Sequence, residues 1–206
     1  MKSILYIASN SASRKKILSD AQIPFQVIAQ DADETQISLQ QPLHEVGMQI
    51  AKLKMEHAQI PLGSQEGQIC FVLTADTINR TPSGLSLCKP VDRADAIFML
   101  HQARGGILTV TGFCVRKLVW HESAWQLVQE ILDFDQAETI FNVPDDMIDF
   151  YLDAVSFLNV SGAISIEGVG ELFLQSIHGN YGAVVGLPMF KVRQSLTQLG
   201  FYTKIR

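Results

Sequence analysis

The stretch Tyr6-Ile-Ala-Ser-Asn-Ser-Ala-Ser-Arg-Lys-Lys-Ile-Leu18 passes from an apolar strand through a hydroxyl-rich turn into a helix. Ser9 and Ser11 are good helix N-caps, and the free N–H groups at a helix start also bind phosphate. The helix opens with cations at positions 14–16, which oppose the positive end of the helix dipole unless they are solvated or an anion is bound. The stretch therefore predicts an α/β unit with either a phosphate site or a capped surface helix whose basic end is solvated.

The composition limits the kind of partner. The chain has 206 residues, of which 47% are hydrophobic, enough for the core of one domain or of two small lobes. Its formal net charge of −5 disfavours binding to a nucleic-acid polymer or to an anionic membrane. The N-terminal apolar run is too short for a signal peptide, and no run reaches the roughly twenty residues of a membrane span. We expect a cytoplasmic protein with a small-molecule partner.

The cysteines and histidines lack the spacing of metal ligands. Cys70, Cys88 and Cys114 are far apart in apolar or strand-like surroundings, which predicts reduced packing residues. The five histidines are likewise expected to be structural or exposed. The sequence therefore predicts neither a disulfide framework nor a thiolate metal site.

A second predicted strand, residues 25–29, is followed by the carboxylates Asp31, Asp33 and Glu34. A solvated loop is the usual interpretation of such a run. Carboxylates that face a phosphate site would instead hold a hard divalent cation, because such cations prefer oxygen ligands. Both interpretations stay open on these residues alone.

The predicted helix at residues 43–58 has an apolar face with i, i+3, i+4 spacing that includes Lys54. Lys52 lies off that face and is expected in solvent. A lysine on an inward face needs an anionic partner, so Lys54 is the better candidate for a functional cation.

An apolar run of strand length, residues 69–76, ends in the carboxylate Asp76. Ligands of open α/β sheets bind outside the carboxyl ends of strands, where a general base or metal ligand is needed. A helix N-cap is the rival role for Asp76, but residues 77–80 continue the β-like pattern. Lys89, which precedes a proline, is a further candidate for binding phosphate.

The second half of the chain alternates β-rich and helical segments. Residues 107–120 and 125–134 flank a polar turn and predict an antiparallel hairpin at a sheet edge or on a second lobe. Helices are predicted at residues 91–102, after Pro144 and after Pro188, the last with Phe190 at a packing position.

Several motifs occur in the order and approximate spacing of the Maf family, the septum-formation-inhibitor-like nucleoside triphosphate pyrophosphatases. The resemblance covers residues 4–201, and its motifs are specific in combination although each is weak alone. They are Ile7-Ala-Ser-Asn-Ser-Ala-Ser-Arg14, Asp33-Glu34-Thr35, Ile50-Ala51 with Lys54, Asp76-Thr77, Gly84 with Lys89-Pro90, and Val184-Val-Gly-Leu-Pro188.

The resemblance implies a mixed α/β fold in which two lobes of one domain, residues 1–206, surround a long mixed sheet with the substrate cleft between them. It implies hydrolysis between the α- and β-phosphates of a nucleoside triphosphate, giving a monophosphate and pyrophosphate, with Mg²⁺ or Mn²⁺ as the divalent cation. It also implies a house-cleaning role in nucleotide metabolism and a homodimer.

The resemblance further assigns roles to individual residues. Asp76 resembles the catalytic proton acceptor and, together with Glu34, a ligand of the cation. The positions that handle phosphate are Ser9, Ser11, Arg14, Lys54 and Lys89. These residue types suit the chemistry, because cations offset the triphosphate charge and a carboxylate near water deprotonates the nucleophile.

Three departures from the family pattern are visible. The usual Ser-Pro-Arg-Arg is Ser11-Ala12-Ser13-Arg14, the frequent Asp-Lys-Ala-Gly is Asn159-Val160-Ser161-Gly162, and Leu108 stands where a histidine is often found. They leave two alternatives, a catalytically weak nucleotide-binding regulator linked to cell division and a related inosine/xanthosine triphosphate pyrophosphatase. Because the main acidic and basic positions are all present, we favour an active enzyme.

Three positions sort substrates in the family, here Ser13, Thr77 and Glu167. Thr77 resembles the branch acting on dTTP and UTP, Glu167 resembles the branch acting on 7-methyl-GTP, and Ser13 matches neither. A carboxylate only accepts hydrogen bonds, which suits the N1–H and amino donors of guanine. An exposed Glu167 without contact to the base is the alternative. The sequence slightly favours a 7-methyl-GTP-like purine over dTTP or UTP.

Overall fold

The computed structural model describes residues 4–204 and shows a mixed α/β fold on one seven-stranded sheet, which confirms the predicted class. The strands are β1 (Ile4–Ile7), β2 (Phe25–Val27), β3 (Ile69–Arg80), β4 (Ser86–Leu87), β5 (Ile107–His121), β6 (Ala124–Phe141) and β7 (Leu174–Gly179). The helices are α1 (Ala12–Asp20), α2 (Leu43–Glu56), α3 (Arg93–Ala103), α4 (Ile148–Ala154), α5 (Tyr181–Val185) and α6 (Met189–Gln198). Residues 1–3 and 205–206 of the predicted domain lie outside the described residues, and its organisation as one domain of two lobes stays a prediction.

The sheet combines a parallel half with an antiparallel half in the order β2-β1-β3-β5-β6-β7, and β4 pairs with the end of β3. β1 is parallel to β2 and β3, whereas β3, β5, β6 and β7 pair antiparallel. The predicted hairpin of β5 and β6 is confirmed, but its placement at a sheet edge is wrong for β5. That strand pairs with β3 along the whole of β3 and therefore lies at the centre of the sheet.

Side chains of the central strands alternate between two covered faces. Leu5 and Phe71 pack on one face in a core that includes residues of α1 and α6. Tyr6 and Val72 pack on the other face with residues of α2. Burial on both faces explains why β3 reads as a nearly continuous apolar run. A further core forms around Tyr151, where α3, α4 and the ends of β5 and β6 meet.

Two glycines bring α2 unusually close to the sheet. A Cβ added to Gly112 of β5 would lie 2.2 Å from the carbonyl carbon of Gly47 in α2 and 2.5 Å from the backbone nitrogen of Met48. Thr74 of β3 then donates a 2.6 Å hydrogen bond to the carbonyl of Ala51, one turn further along α2. This close approach carries the following turn of α2, with Lys54, up to β3.

The predicted position of Asp76 at the end of its strand is wrong. β3 continues to Arg80 because its second half pairs with β5 and, from Asn79, with β4. The strand that ends near Asp76 is β1, whose last residue Ile7 pairs with Leu73. The opening at a carboxyl strand end is therefore provided by β1, and Asp76 faces it from the neighbouring, longer strand.

Burial sorts the remaining predictions on single side chains. Cys70 and Cys114 are buried, and burial raises the pKa of each thiol to about 12, as packing residues require. Cys88 is exposed, so the packing role predicted for it is wrong. Phe190 of α6 is 61% exposed, which also contradicts its predicted packing role. Within residues 4–204, no helix has the length and apolar character needed to cross a membrane.

Candidate active site

A large cleft opens where β1 stops and β3 continues. Its volume is about 1390 Å³, and its walls come from the turn after β1, α2, β3, the segment after α4 and the end of α5. All ten residues predicted for the site line this cleft: Ser9, Ser11, Ser13, Arg14, Glu34, Lys54, Asp76, Thr77, Lys89 and Glu167. The structure therefore brings together residues that lie far apart in the sequence, from Ser9 to Glu167.

Asp76 and Thr77 are adjacent in β3, so their side chains point to opposite faces of the sheet. Asp76 points towards Lys54 of α2, and Thr77 points towards Arg14 of α1, as their hydrogen bonds show. Because β1 no longer covers this part of β3, both faces contribute groups to one cleft. This arrangement gives the site a carboxylate-and-lysine side and an arginine side.

On the α2 side, Lys54 joins two carboxylates. Its ammonium nitrogen lies 2.6 Å from Asp76 Oδ1 and 2.9 Å from Glu34 Oε1. The side chains of Lys54 and Asp76 are only 10% and 13% exposed, whereas that of Glu34 is 44% exposed. The buried lysine on the apolar face of α2 thus has the anionic partner that its position requires.

On the other side, Arg14 is buried and its guanidinium is held by three groups. Nε donates to the carbonyl of Gly186 at 2.8 Å, Nη1 to Ser9 Oγ at 3.3 Å, and Nη2 to Thr77 Oγ1 at 3.0 Å. Burial lowers the pKa of Arg14, and the carboxylates of Asp76 and Glu34 partly oppose this shift. Arg14 bonds to no carboxylate among the described residues, and a buried, fixed guanidinium of this kind is suited to receive an anionic ligand.

The serines of the turn after β1 organise the start of α1. Ser11 is the N-cap, as predicted, and its Oγ accepts from the backbone N–H of Arg14 at 3.4 Å. Ser9 is buried and its Oγ accepts from the backbone N–H of Ser11 as well as from Arg14. Both hydroxyls keep their own protons, which remain available to donate to a ligand.

The outer part of the cleft carries exposed groups. Lys89 and Glu167 are exposed, Ser13 is half-buried, and the three lie at different points of the wall. Lys89 makes no ion pair with the described residues. Cys88 lies next to it, and partial desolvation in the cleft wall, with the nearby Asp76 and Glu34, raises the pKa of its thiol, so it is not a ready thiolate. Lys89 is thus a free cation at the rim.

The cleft fits a divalent cation whose coordination the substrate would complete. Glu34 and Asp76 are neighbouring carboxylates, and Mg²⁺ is commonly held by one or two carboxylates together with substrate phosphates and water. Asp31 and Asp33 do not join them, because Asp31 pairs with His57 and Asp33 caps the turn at Thr35. Among residues 4–204, no group of three or more acidic, histidine or cysteine side chains is placed to bind a metal without substrate.

Several contacts of the site were not predicted. Thr111 of β5 lies behind Thr77, and the Gly186 carbonyl binds Arg14. Ser161, where the family often has alanine after its lysine, donates to the carbonyl of Leu87 at 3.1 Å and so fixes the wall at β4. The sequence signal that could have identified Thr111 is its place as a polar residue within the apolar run of β5.

The cleft thus brings together two buried cations, two carboxylates that share one lysine, and a capped helix start. Such a site is suited to bind a polyphosphate together with a divalent cation. The family model described as Maf-like protein matches residues 4–199. The chain belongs to the Maf-like protein family.

Curated relatives match over nearly their whole length. The chain is 31% identical over 197 residues to a dTTP/UTP pyrophosphatase of Fusobacterium nucleatum, covering 96% of each chain. It is 30% identical over 200 residues to a dTTP/UTP pyrophosphatase of Xanthomonas oryzae, covering 96% of this chain and 99% of the relative. A dTTP/UTP pyrophosphatase of Alkaliphilus oremlandii is 32% identical over 193 residues, covering 91% and 92%.

Proposed function

We propose that this protein is a nucleoside triphosphate pyrophosphatase that cleaves between the α- and β-phosphates and releases pyrophosphate. The observation that carries the proposal is the meeting of Asp76, Lys54 and Arg14 in one cleft, from both faces of the sheet. The family match and the names of the relatives support the same chemistry.

Charge is the basis of substrate binding in this proposal. A triphosphate brings several negative charges, and Arg14, Lys54 and Lys89 line the cleft at separate points. Arg14 has two terminal nitrogens that each keep one unused N–H, a geometry that suits two phosphate oxygens. Ser9 and Ser11 add hydroxyl donors at the start of α1. We assign these five residues to phosphate binding.

Asp76 acts as the general base in this proposal. It is held at low exposure on a rigid central strand, where its free oxygen can take a proton from an attacking water. Glu34 and Asp76 would hold the divalent cation, Mg²⁺ or Mn²⁺, which supplies charge neutralisation at the reacting phosphates when it is bound. Lys54 leaves its ion pair with Asp76 as phosphate oxygens arrive, so substrate binding frees the base.

For the base of the nucleotide, we propose dTTP and UTP as the preferred substrates. The relatives over 91–96% of this chain carry that name, and Thr77 agrees with that branch. The preference for 7-methyl-GTP expected from Glu167 has no support in those names. Glu167 is exposed on the cleft wall, where it is available to contact a base but is not fixed by a hydrogen bond to another described side chain.

The assembly and location are proposals as well. We propose a cytoplasmic homodimer with no nucleic-acid polymer as partner. Among the described residues, the first part of β6, residues 124–132, pairs with β5 alone, and Leu127 and Val128 are 55% and 53% exposed there. This edge is a candidate contact surface, because unpaired strand edges readily take a partner. Sedimentation of the wild type and of Leu127→Lys distinguishes a dimer through this edge from a monomer.

A nucleotide panel tests the proposed function. The purified protein is given dTTP, UTP, 7-methyl-GTP, GTP, ITP and XTP with Mg²⁺ or Mn²⁺, and pyrophosphate and orthophosphate are measured separately. Pyrophosphate release that is fastest with dTTP and UTP, and is abolished by EDTA, is the expected result. Fast release from ITP or XTP would identify the related pyrophosphatase, and binding without release would identify a weak regulator, the alternative suggested by Ser13 and the changes at residues 159–161.

A further inference from the structure

Thr111 is a fully buried polar residue behind the cleft. It lies in β5 directly opposite Thr77 of β3, and its side chain has no exposed surface. It does not line the cleft, so it does not contact a ligand there. A buried hydroxyl needs hydrogen-bond partners, and those of Thr111 lead to the site.

The hydrogen bonds of Thr111 have one possible direction. Thr111 Oγ1 lies 2.6 Å from the carbonyl oxygen of Ala183, which only accepts, so Thr111 is the donor. Thr77 Oγ1 lies 2.8 Å from Thr111 Oγ1, whose own proton is already used, so Thr77 donates to Thr111. The lone pairs of Thr77 then face Arg14, which donates to it from Nη2. The order of donation is therefore Arg14 to Thr77 to Thr111 to Ala183.

This series of hydrogen bonds closes into a ring through α5. Ala183 lies within α5, and Gly186, its C-cap, accepts the Nε–H of Arg14. Arg14 is thus held at two points by the same short helix, directly at Nε and through two threonines at Nη2. Hydrogen bonds in such a series polarise one another, so the loss of one weakens the rest.

We infer that Thr111 is a positioning residue for Arg14: it orients the Thr77 hydroxyl, and this hydroxyl fixes the guanidinium that receives the phosphates. The inference rests on the proposed function for its kinetic consequence, but the positioning of Arg14 does not depend on it. Without the Thr111 hydroxyl, the proton of Thr77 loses its acceptor in β5. The Thr77 hydroxyl can then turn this proton towards Arg14, so the guanidinium is no longer held in one orientation.

Thr111→Val tests this role, because valine keeps the shape and removes the hydroxyl. We expect kcat/KM for the preferred triphosphate to fall about tenfold, mainly through KM, as for the loss of a hydrogen bond to a charged group. Thr111→Ser restores the hydroxyl and should stay within about twofold of the wild type. Thr139→Val is the matched control, because Thr139 is a buried threonine of the next strand whose hydroxyl has no partner among the described residues.

A double-mutant cycle separates positioning from a general loss of structure. In a Thr77→Val background the ring is already broken, so adding Thr111→Val should change kcat/KM by less than about twofold. An equal tenfold loss in both backgrounds would overturn the inference, as would an unchanged KM in the single variant of an active enzyme.

A measurement without substrate keeps the inference testable if the proposed function fails. ¹⁵N NMR measures the exchange of the Arg14 Nε–H proton with water, and we expect this exchange to be slow in the wild type. Thr111→Val should speed it at least about tenfold, whereas Thr139→Val should leave it unchanged. If the wild type hydrolyses no nucleotide, the proposed function is wrong and this exchange rate alone decides. Unchanged exchange in Thr111→Val overturns the positioning role in either case.

Discussion

Gly112→Ala is the substitution whose effect follows most directly from the packing of α2 on the sheet. The new Cβ would lie 2.2 Å from the carbonyl carbon, 2.4 Å from the carbonyl oxygen of Gly47, and 2.5 Å from the nitrogen of Met48. All three atoms are backbone and cannot rotate away, so α2 must move outwards by about 1 Å or β5 must bend. Forced overpacking costs about 1–3 kcal/mol. Because the clash involves only backbone atoms, we expect the unfolding free energy to fall by about 3 kcal/mol.

Urea unfolding followed by circular dichroism measures this loss. Gly105→Ala is the control, because a Cβ at Gly105 meets no atom within 4 Å, and its unfolding free energy should stay within about 0.5 kcal/mol of the wild type. The shift of α2 should also displace Lys54 from the phosphate site, so activity should fall beyond the folded fraction. If Gly112→Ala were as stable as Gly105→Ala, the close approach of α2 to β5 would be wrong.

Three further predictions address the side chains of the cleft and the sheet. Arg14→Ala, Lys54→Ala and Lys89→Ala should each reduce kcat/KM for a triphosphate at least about tenfold more than Lys52→Ala or Lys117→Ala, because only the first three line the cleft; similar kinetics for all five variants would contradict the phosphate site. Glu167→Gln should hold or raise pyrimidine hydrolysis, because an amide both donates and accepts; a tenfold fall with dTTP would assign Glu167 another role. Thr139→Val should raise the unfolding free energy by about 1 kcal/mol in the same urea assay, because it removes a buried hydroxyl without a described partner; a clear loss of stability would reveal a missed hydrogen bond.

Local chemistry made part of the site predictable from sequence. The Ser11 cap follows from residue preference at a helix start, and the inward position of Lys54 follows from helical spacing. Both are properties of a few neighbouring residues. The parallel and antiparallel halves of the sheet are not, because strand order depends on contacts between distant segments.

Long-range pairing explains what the sequence did not predict. Asp76 was expected at a strand end, but pairing with β5 and β4 carries β3 on to Arg80. Gly186 meets Arg14 across 172 positions of the chain, and no local pattern connects them. Thr111 looks like an ordinary strand residue until its register with Thr77 is known. The sequence therefore indicated which residue types serve the site, whereas the contacts between them are seen only in the folded structure.

The central claim is that Asp76 is the base of a pyrophosphate-releasing hydrolysis, and turnover of dTTP and UTP by Asp76→Asn tests it most directly. The wild type with Mg²⁺ should give the monophosphate and pyrophosphate, with no orthophosphate. Asp76→Asn should keep its fold and nucleotide affinity but turn over at least about a hundredfold more slowly, within the range expected for a lost general base. Near-wild-type turnover by the folded variant, or orthophosphate as the wild-type product, would contradict the account.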